Sequence, residues 1–157
     1  MCEGIRYKLM GASVQVLFGP LSSKIPVLYR SGEVHLYEWG CEGRNTIKQP
    51  SMGPLKEWPQ GCCATLESIK SGEWDYFRPR SCKVPATAFA IKDRAGVTRW
   101  FDVASGGYLQ GVYASPWYEP KVYLVSVPAP AEMAQFADRW PRIVGGVRSW
   151  RTFQRKI

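Results

Sequence analysis

Residues 83–127 constrain the fold more than any other stretch. They hold four short apolar runs, KVPATAFAI (83–91), VTRWFDV (97–103), YLQGVYA (108–114) and KVYLVSV (121–127), with KDRAG and ASGG as tight connections. Runs of this length bounded by turn residues form strands, and connections this short predict an antiparallel meander. Further strands are predicted at 13–18 (SVQVLF), 25–30 (IPVLYR) and 33–39 (EVHLYEW), the last two joined through SGE at 31–33. Helical signals are few. ATLESIKSG (64–72) has good formers and a terminal Gly, and AEMAQFADRWP (131–141) spaces Met133, Phe136, Ala137 and Trp140 as a helix face with Pro141 as its stop. Residues 40–61, with three Pro and four Gly, predict a long loop of the kind that usually carries function. No repeat is visible, and the expected class is α+β with strands dominant.

At 157 residues the chain is long enough for one domain with a core of its own, 1–157, ending in a basic segment over 142–157. The formal net charge of +8 points to a polyanionic partner. Five of the cationic residues, Arg142, Arg148, Arg151, Arg155 and Lys156, fall in the last sixteen positions, which carry no acid and interleave Trp150 and Phe153. That combination suits a nucleic-acid backbone with stacked bases, or equally an amphipathic helix docked on the core. A second basic run, YFRPRSCK (76–83), holds Arg78, Arg80 and Lys83 beside two aromatics. Its alternative reading is an edge strand protected by charge.

Five cysteines, two of them vicinal at Cys62–Cys63, make a poor disulfide framework, and the N-terminal residues lack a signal-peptide pattern. A reducing, cytoplasmic setting with free thiols is expected. No stretch has the length needed to span a bilayer, so no membrane is expected as partner. The absence of a C-x-x-C pair and the single His35, set within a strand pattern, argue against zinc, and no cofactor is expected.

Cys2 stands apart. Removal of Met1 would leave a residue bearing an α-amine and a thiol on neighbouring carbons, a 1,2-aminothiol able to condense with an aldehyde into a thiazolidine ring. Both groups have ordinary pKa values of roughly 7.7–8.5, so a fraction of each is nucleophilic at neutral pH.

The ordered set MC (1–2), EWG (38–40), ATLES (64–68), RPRSCKVPATAF (78–89), LQGVYA (109–114) and ADRWP (137–141) resembles the SOS response-associated peptidase (SRAP) family. That resemblance implies a curved, barrel-like sheet and a DNA-damage role, with single-stranded or abasic-site DNA as partner and bacterial or phage origin. It also implies a thiazolidine crosslink from Cys2 to the aldehyde of an abasic sugar. Family members assist that chemistry with an Asn, a Glu and a His. Those positions fall here on Cys63, Ile91 and Ala137, and the family's Arg after the Asn becomes Thr65. Displaced acids are then expected among Glu67, Asp93 and Glu3. DNA contacts are expected from Arg6, Arg78, Arg80, Arg139, Arg148 and Arg151, with Trp39, Trp58 and Trp74 as stacking platforms. A general peptidase activity is not expected. The competing reading is a catalytically degenerate DNA-binding or interaction module of mobile-element origin in which Cys2 is incidental. A third is a thiol enzyme using Cys62 or Cys63. Oligomeric state stays open.

Overall fold

The computed structural model describes residues 2–19, 23–43, 56–116 and 119–145. The strands over these residues are β1 (Cys2–Leu9), β2 (Ala12–Leu17), β3 (Lys24–Leu28), β4 (Val34–Trp39), β5 (Cys63–Thr65), β6 (Arg80–Val84), β7 (Ala88–Lys92), β8 (Thr98–Asp102), β9 (Gly107–Ala114), β10 (Lys121–Pro128), β11 (Arg139–Pro141) and β12 (Ile143–Gly145). One helix, α1 (Leu66–Lys70), and two single-turn 3-10 segments complete the described regular structure. The class is α+β with strands dominant, as the sequence predicts.

The strands divide into two sheets. An open antiparallel sheet runs β2-β1-β7-β8. In the other, β9, β10, β4, β3 and β6 pair in a ring that closes from β6 back to β9. This is a five-stranded barrel, antiparallel at every seam except β10–β4, where Lys121 and Val122 lie beside Glu38 and Trp39 in parallel register. Closure removes the exposed edges that an open sheet of these strands would present.

Barrel and open sheet share a core. Ile5 and Tyr7 of β1, Ile25 and Val27 of β3, Val84, Phe89, Ile91, Leu109, Val122, Leu124 and Trp140 form one buried cluster. A second cluster covers the opposite face of β9 and β10, where Val112, Ala114, Tyr123 and Val125 meet Trp58, Trp74 and Phe77. Lys121–Val127 of β10 is therefore buried on both faces, which explains why KVYLVSV reads as a nearly continuous apolar run rather than an alternating one.

Four expectations change. Residues 2–9 form the longest strand of the open sheet, with Ile5 and Tyr7 inward and Arg6 and Lys8 outward; their charges obscure a period-two pattern that pairing reveals. The run 83–91 is two strands in different sheets, because Pro85 has no N–H to give a ladder and the chain crosses there from barrel to open sheet. The meander is thus two antiparallel pairs, β7–β8 and β9–β10, and β8 does not pair with β9. The segment 131–141 forms no α-helix: a 3-10 turn at Ala131–Met133 leads to β11, which pairs with Ser126–Pro128 of β10. Its apolar residues still reach the core, Trp140 meeting Phe89 and Phe101 edge-on, but the open edge of β10 takes the backbone. Helix α1 is shorter than the predicted 64–72. Thr65 caps it, accepting from the Ser68 amide at 3.2 Å, while the residues before it pair in parallel with β10. None of the helices among the described residues is long and apolar enough to cross a membrane.

Barrel closure relies on close approach at Gly111. A Cβ there would lie 2.8 Å from the Cys82 sulfur, 3.1 Å from Val84 and 3.2 Å from Val122. Gly111→Ala is expected to destabilise the fold by about 1–3 kcal/mol through overpacking. The cost should shrink when Cys82→Ala is added, a coupling that a double-mutant cycle by urea unfolding would read.

Candidate functional site

The site starts where β1 starts. Cys2 pairs with Ile91 of β7, Gly4 pairs with the neighbouring Ala90, and the extra residue between them makes a bulge. Bulges re-aim side chains beside the residue they insert. Here Cys2 turns into the core and is 2% exposed, with its thiol donating to the Gly4 carbonyl at 3.5 Å.

A thiol cage closes over it. The Cys62 thiol donates to the Cys2 carbonyl at 2.7 Å, the Cys63 sulfur lies 3.9 Å from the same oxygen, and the two sulfurs are 3.5 Å apart. Cys62 is itself held: its carbonyl accepts from the Trp39 indole at 2.9 Å and from the Leu124 amide at 3.0 Å. The cage thus hangs on Trp39, the last residue of β4, and on Leu124 in the middle of β10. Ile91 and Ala137 belong to the same buried cluster as Cys2.

Two of the positions that the resemblance pairs with an Asn, a Glu and a His, Cys63 and Ile91, therefore lie beside Cys2, and with Ala137 in the same core cluster they bring a thiol, a sec-butyl group and a methyl. Burial first, and the neighbouring Cys62 second, push the Cys2 thiol far above its ordinary range. Cys63 is also held well above it, first by its hydrogen bond with Cys62 and then by burial. Both shifts disfavour a thiolate at Cys2 and Cys63, whereas the hydrogen bond with Cys63 lowers the Cys62 pKa. The helix that follows these cysteines, α1, spans only Leu66–Lys70.

The expected replacement acids are engaged elsewhere. Glu3 accepts from the Thr98 hydroxyl at 2.7 Å. Glu67 accepts from Arg139 at 2.8 Å, and that guanidinium holds its carboxyl below the usual range. Asp93 builds a turn: it accepts from Arg99 at 2.7 Å and from the amides of Ala95 and Val97 at 2.9 Å, contacts that lower its pKa in the same way. These carboxylates serve the fold.

The three tryptophans expected to stack on bases are core residues, a correction that follows from their packing. Trp39, Trp58 and Trp74 are 2%, 3% and 6% exposed. Trp39 faces Phe18, Trp58 stacks on Phe77, and Trp74 meets Tyr123 edge-on while its indole donates to Ser68. An indole enclosed in this way has no face left for a base.

The arginines divide. Arg6 bonds Gln15 at 2.9 Å and lies 4.0 Å above the Trp100 ring. Arg139 ties β11 to β10 through the Ser126 carbonyl at 2.7 Å. Arg78 and Arg80 are exposed, Arg78 at the left-handed residue (φ 50°) that ends the 3-10 turn Asp75–Phe77. Arg148 and Arg151 lie outside the described residues. Sequence reasoning missed Cys62 and Trp39 as the holders of Cys2. The vicinal cysteines were the one available signal, and only strand pairing shows that Cys62 rather than Cys63 grips the Cys2 carbonyl.

Two outcomes follow for these thiols. With Met1 removed, Cys2 should react with iodoacetamide at neutral pH at least ~100-fold more slowly in the folded protein than in guanidinium, because the attacking species is the thiolate; peptide mass mapping would read the ratio. Burial also pushes Cys82 up to about 12. Its folded value is raised, so its stabilising contribution is complete below the ordinary thiol range of roughly 8.5 and is lost as pH rises toward about 12. Thermal melts should fall through this window, and less steeply in Cys82→Ala.

Compared with known proteins, the chain matches no protein-family profile, no curated protein and no solved structure.

Proposed function

We propose that this protein is a SRAP-like module that binds single-stranded DNA non-covalently, with the aminothiol chemistry of Cys2 silenced by burial. One observation carries the reading. Of the residues that the resemblance aligns with a proton-transfer set, Cys63 and Ile91 lie beside Cys2 and Ala137 shares its buried core cluster, and the latter two present only a hydrocarbon wall.

The chemistry explains why such a wall silences the site. Thiazolidine formation needs the amine to add to the aldehyde carbon and the resulting carbinolamine to lose its hydroxyl as water. The thiol sulfur then bonds to the iminium carbon and releases its proton. Proton delivery to the leaving hydroxyl is worth roughly 10²–10⁴ in rate where a positioned acid supplies it. Ile91 and Ala137 cannot supply one, and the aldehyde would have to enter a packed core. The net charge of +8 and the exposed Arg78 and Arg80 support affinity for a phosphate backbone.

The test uses single-stranded DNA carrying one abasic site, incubated with protein whose Met1 removal is confirmed by mass, beside Cys2→Ser. The expected result is retarded DNA on a native gel for both proteins and no heat-stable band on a denaturing gel. A heat-stable band present in the wild type and lost in Cys2→Ser would overturn the silencing. DNA that migrates freely on the native gel would overturn the binding.

A further inference from the structure

The seam between β3 and β6 is the weakest in the barrel, with Leu28 and Lys83 as its single register pair. Where these strands part, the barrel opens into a cavity of about 860 Å³. Val27, Cys82 and Tyr113, which line it, also pack on the main core. Strand alternation places Tyr29 and Arg80 on the same inward rows as Val27 and Cys82, one step nearer the opening. Arg80 is directly opposite Tyr113 across the β6–β9 seam.

The aromatic wall is fixed in place. The Tyr29 hydroxyl is hydrogen-bonded to that of Tyr37. The Tyr37 ring meets Tyr113 edge-on at 5.1 Å, and Tyr29 is braced by His35 at 4.9 Å while staying 40% exposed. Burial and the Tyr29 contact raise the Tyr37 pKa, so Tyr37 stays neutral at physiological pH.

Positive charge collects at this cavity. Arg94, Arg99 and Arg139 each sit on a carboxylate. Arg30 and Arg80 both line the cavity, both are exposed, and neither forms an ion pair among the described residues. Lys83 adds a third positive charge to the lining, its ammonium 5.2 Å from the Tyr108 ring. Among the described residues the lining contains no acid, and the hairpin carboxylate, Glu33, is bonded to His35 at 3.3 Å.

We propose that this barrel mouth is a nucleotide subsite for single-stranded DNA, in which Arg30 and Arg80 each hold a backbone phosphate and Tyr29 stacks on the adjoining base. The inference rests on the DNA-binding reading above and locates it away from Cys2. Guanidinium groups match phosphate in planar, paired geometry, and a cavity of this size falls in the range, roughly 300–1,000 Å³, that holds nucleotide-sized ligands. An aromatic face beside a cationic groove binds single strands with little regard to sequence.

Fluorescence anisotropy of labelled oligo(dT) with the full chain, over a series of sodium chloride concentrations, tests this. Arg30→Gln and Arg80→Gln should each weaken binding and flatten the slope of log K against log salt by about 0.7, the loss of one single-strand phosphate contact. Tyr29→Leu should weaken binding about 5- to 100-fold and leave the slope unchanged. Arg94→Gln, which removes a guanidinium already held by Asp138, should leave the slope unchanged. Wild-type binding with all three cavity variants at wild-type affinity and slope would overturn the subsite and leave DNA binding standing. No wild-type binding would overturn both. Should a variant fail to fold, nuclear magnetic resonance of the wild type decides: oligo(dT) should shift the Tyr29 ring signals, and unmoved Tyr29 signals under saturating DNA would overturn the subsite.

Discussion

Strand β10 holds the molecule together. It pairs along one edge with β9 and then β11, and along the other with β4 and then β5, so four strands take their backbone hydrogen bonds from its eight residues. Both faces are covered, Val122 and Leu124 joining one core cluster and Tyr123 and Val125 the other. A strand in that position needs an apolar residue at almost every step. The exception at its start is Lys121, 4% exposed, whose ammonium meets Glu38 at 2.7 Å. Breaking such a pair leaves a buried charge uncompensated, a cost of about 3–5 kcal/mol. The pair sits on the parallel β4–β10 seam and so helps to define the one non-antiparallel join in the barrel.

The two sites follow from this frame by opposite routes. At the closed side, Leu124 of β10 and Trp39 of β4 both bond the Cys62 carbonyl, and Cys62 in turn grips Cys2. Tight packing there converts a potentially reactive residue into a core residue, since a buried thiol keeps its proton. At the open side, β3 and β6 diverge after one register pair. Two arginines line that gap and form no ion pair among the described residues, so their desolvation is incomplete and their field reaches solvent. A thiol is enclosed where the barrel is well sealed, and charge is presented where it is not.

Much of the strand content was legible because short apolar runs between Gly, Asp and Ser turns admit few other readings: β2, β3, β4, β8, β9 and β10 appear close to their expected positions. The misses have particular causes. At 131–141 a helical spacing of Met133, Phe136, Ala137 and Trp140 competed with the unpaired edge of β10, and long-range pairing prevailed over local propensity. At 83–91 an unbroken apolar run hid a sheet change, although Pro85 marked it. Trp39, Trp58 and Trp74 read as stacking surfaces because composition counts aromatics without saying which face of a strand they occupy. Arg30 went unnoticed because, within IPVLYR, nothing local separates a solvated strand end from the rim of a cavity.

The sequence by itself determined the strand-rich α+β class, the basic charge balance and the presence of a thiol at position 2, because these depend on period, composition and identity. Only the tertiary structure decided that Cys2 is enclosed, that Cys63 and Ile91 lie beside it, and that Arg30 and Arg80 flank one opening. Each of those facts depends on contacts between residues far apart in the chain. Such contacts are created by barrel closure and strand register, where a shift of one residue exchanges inside for outside.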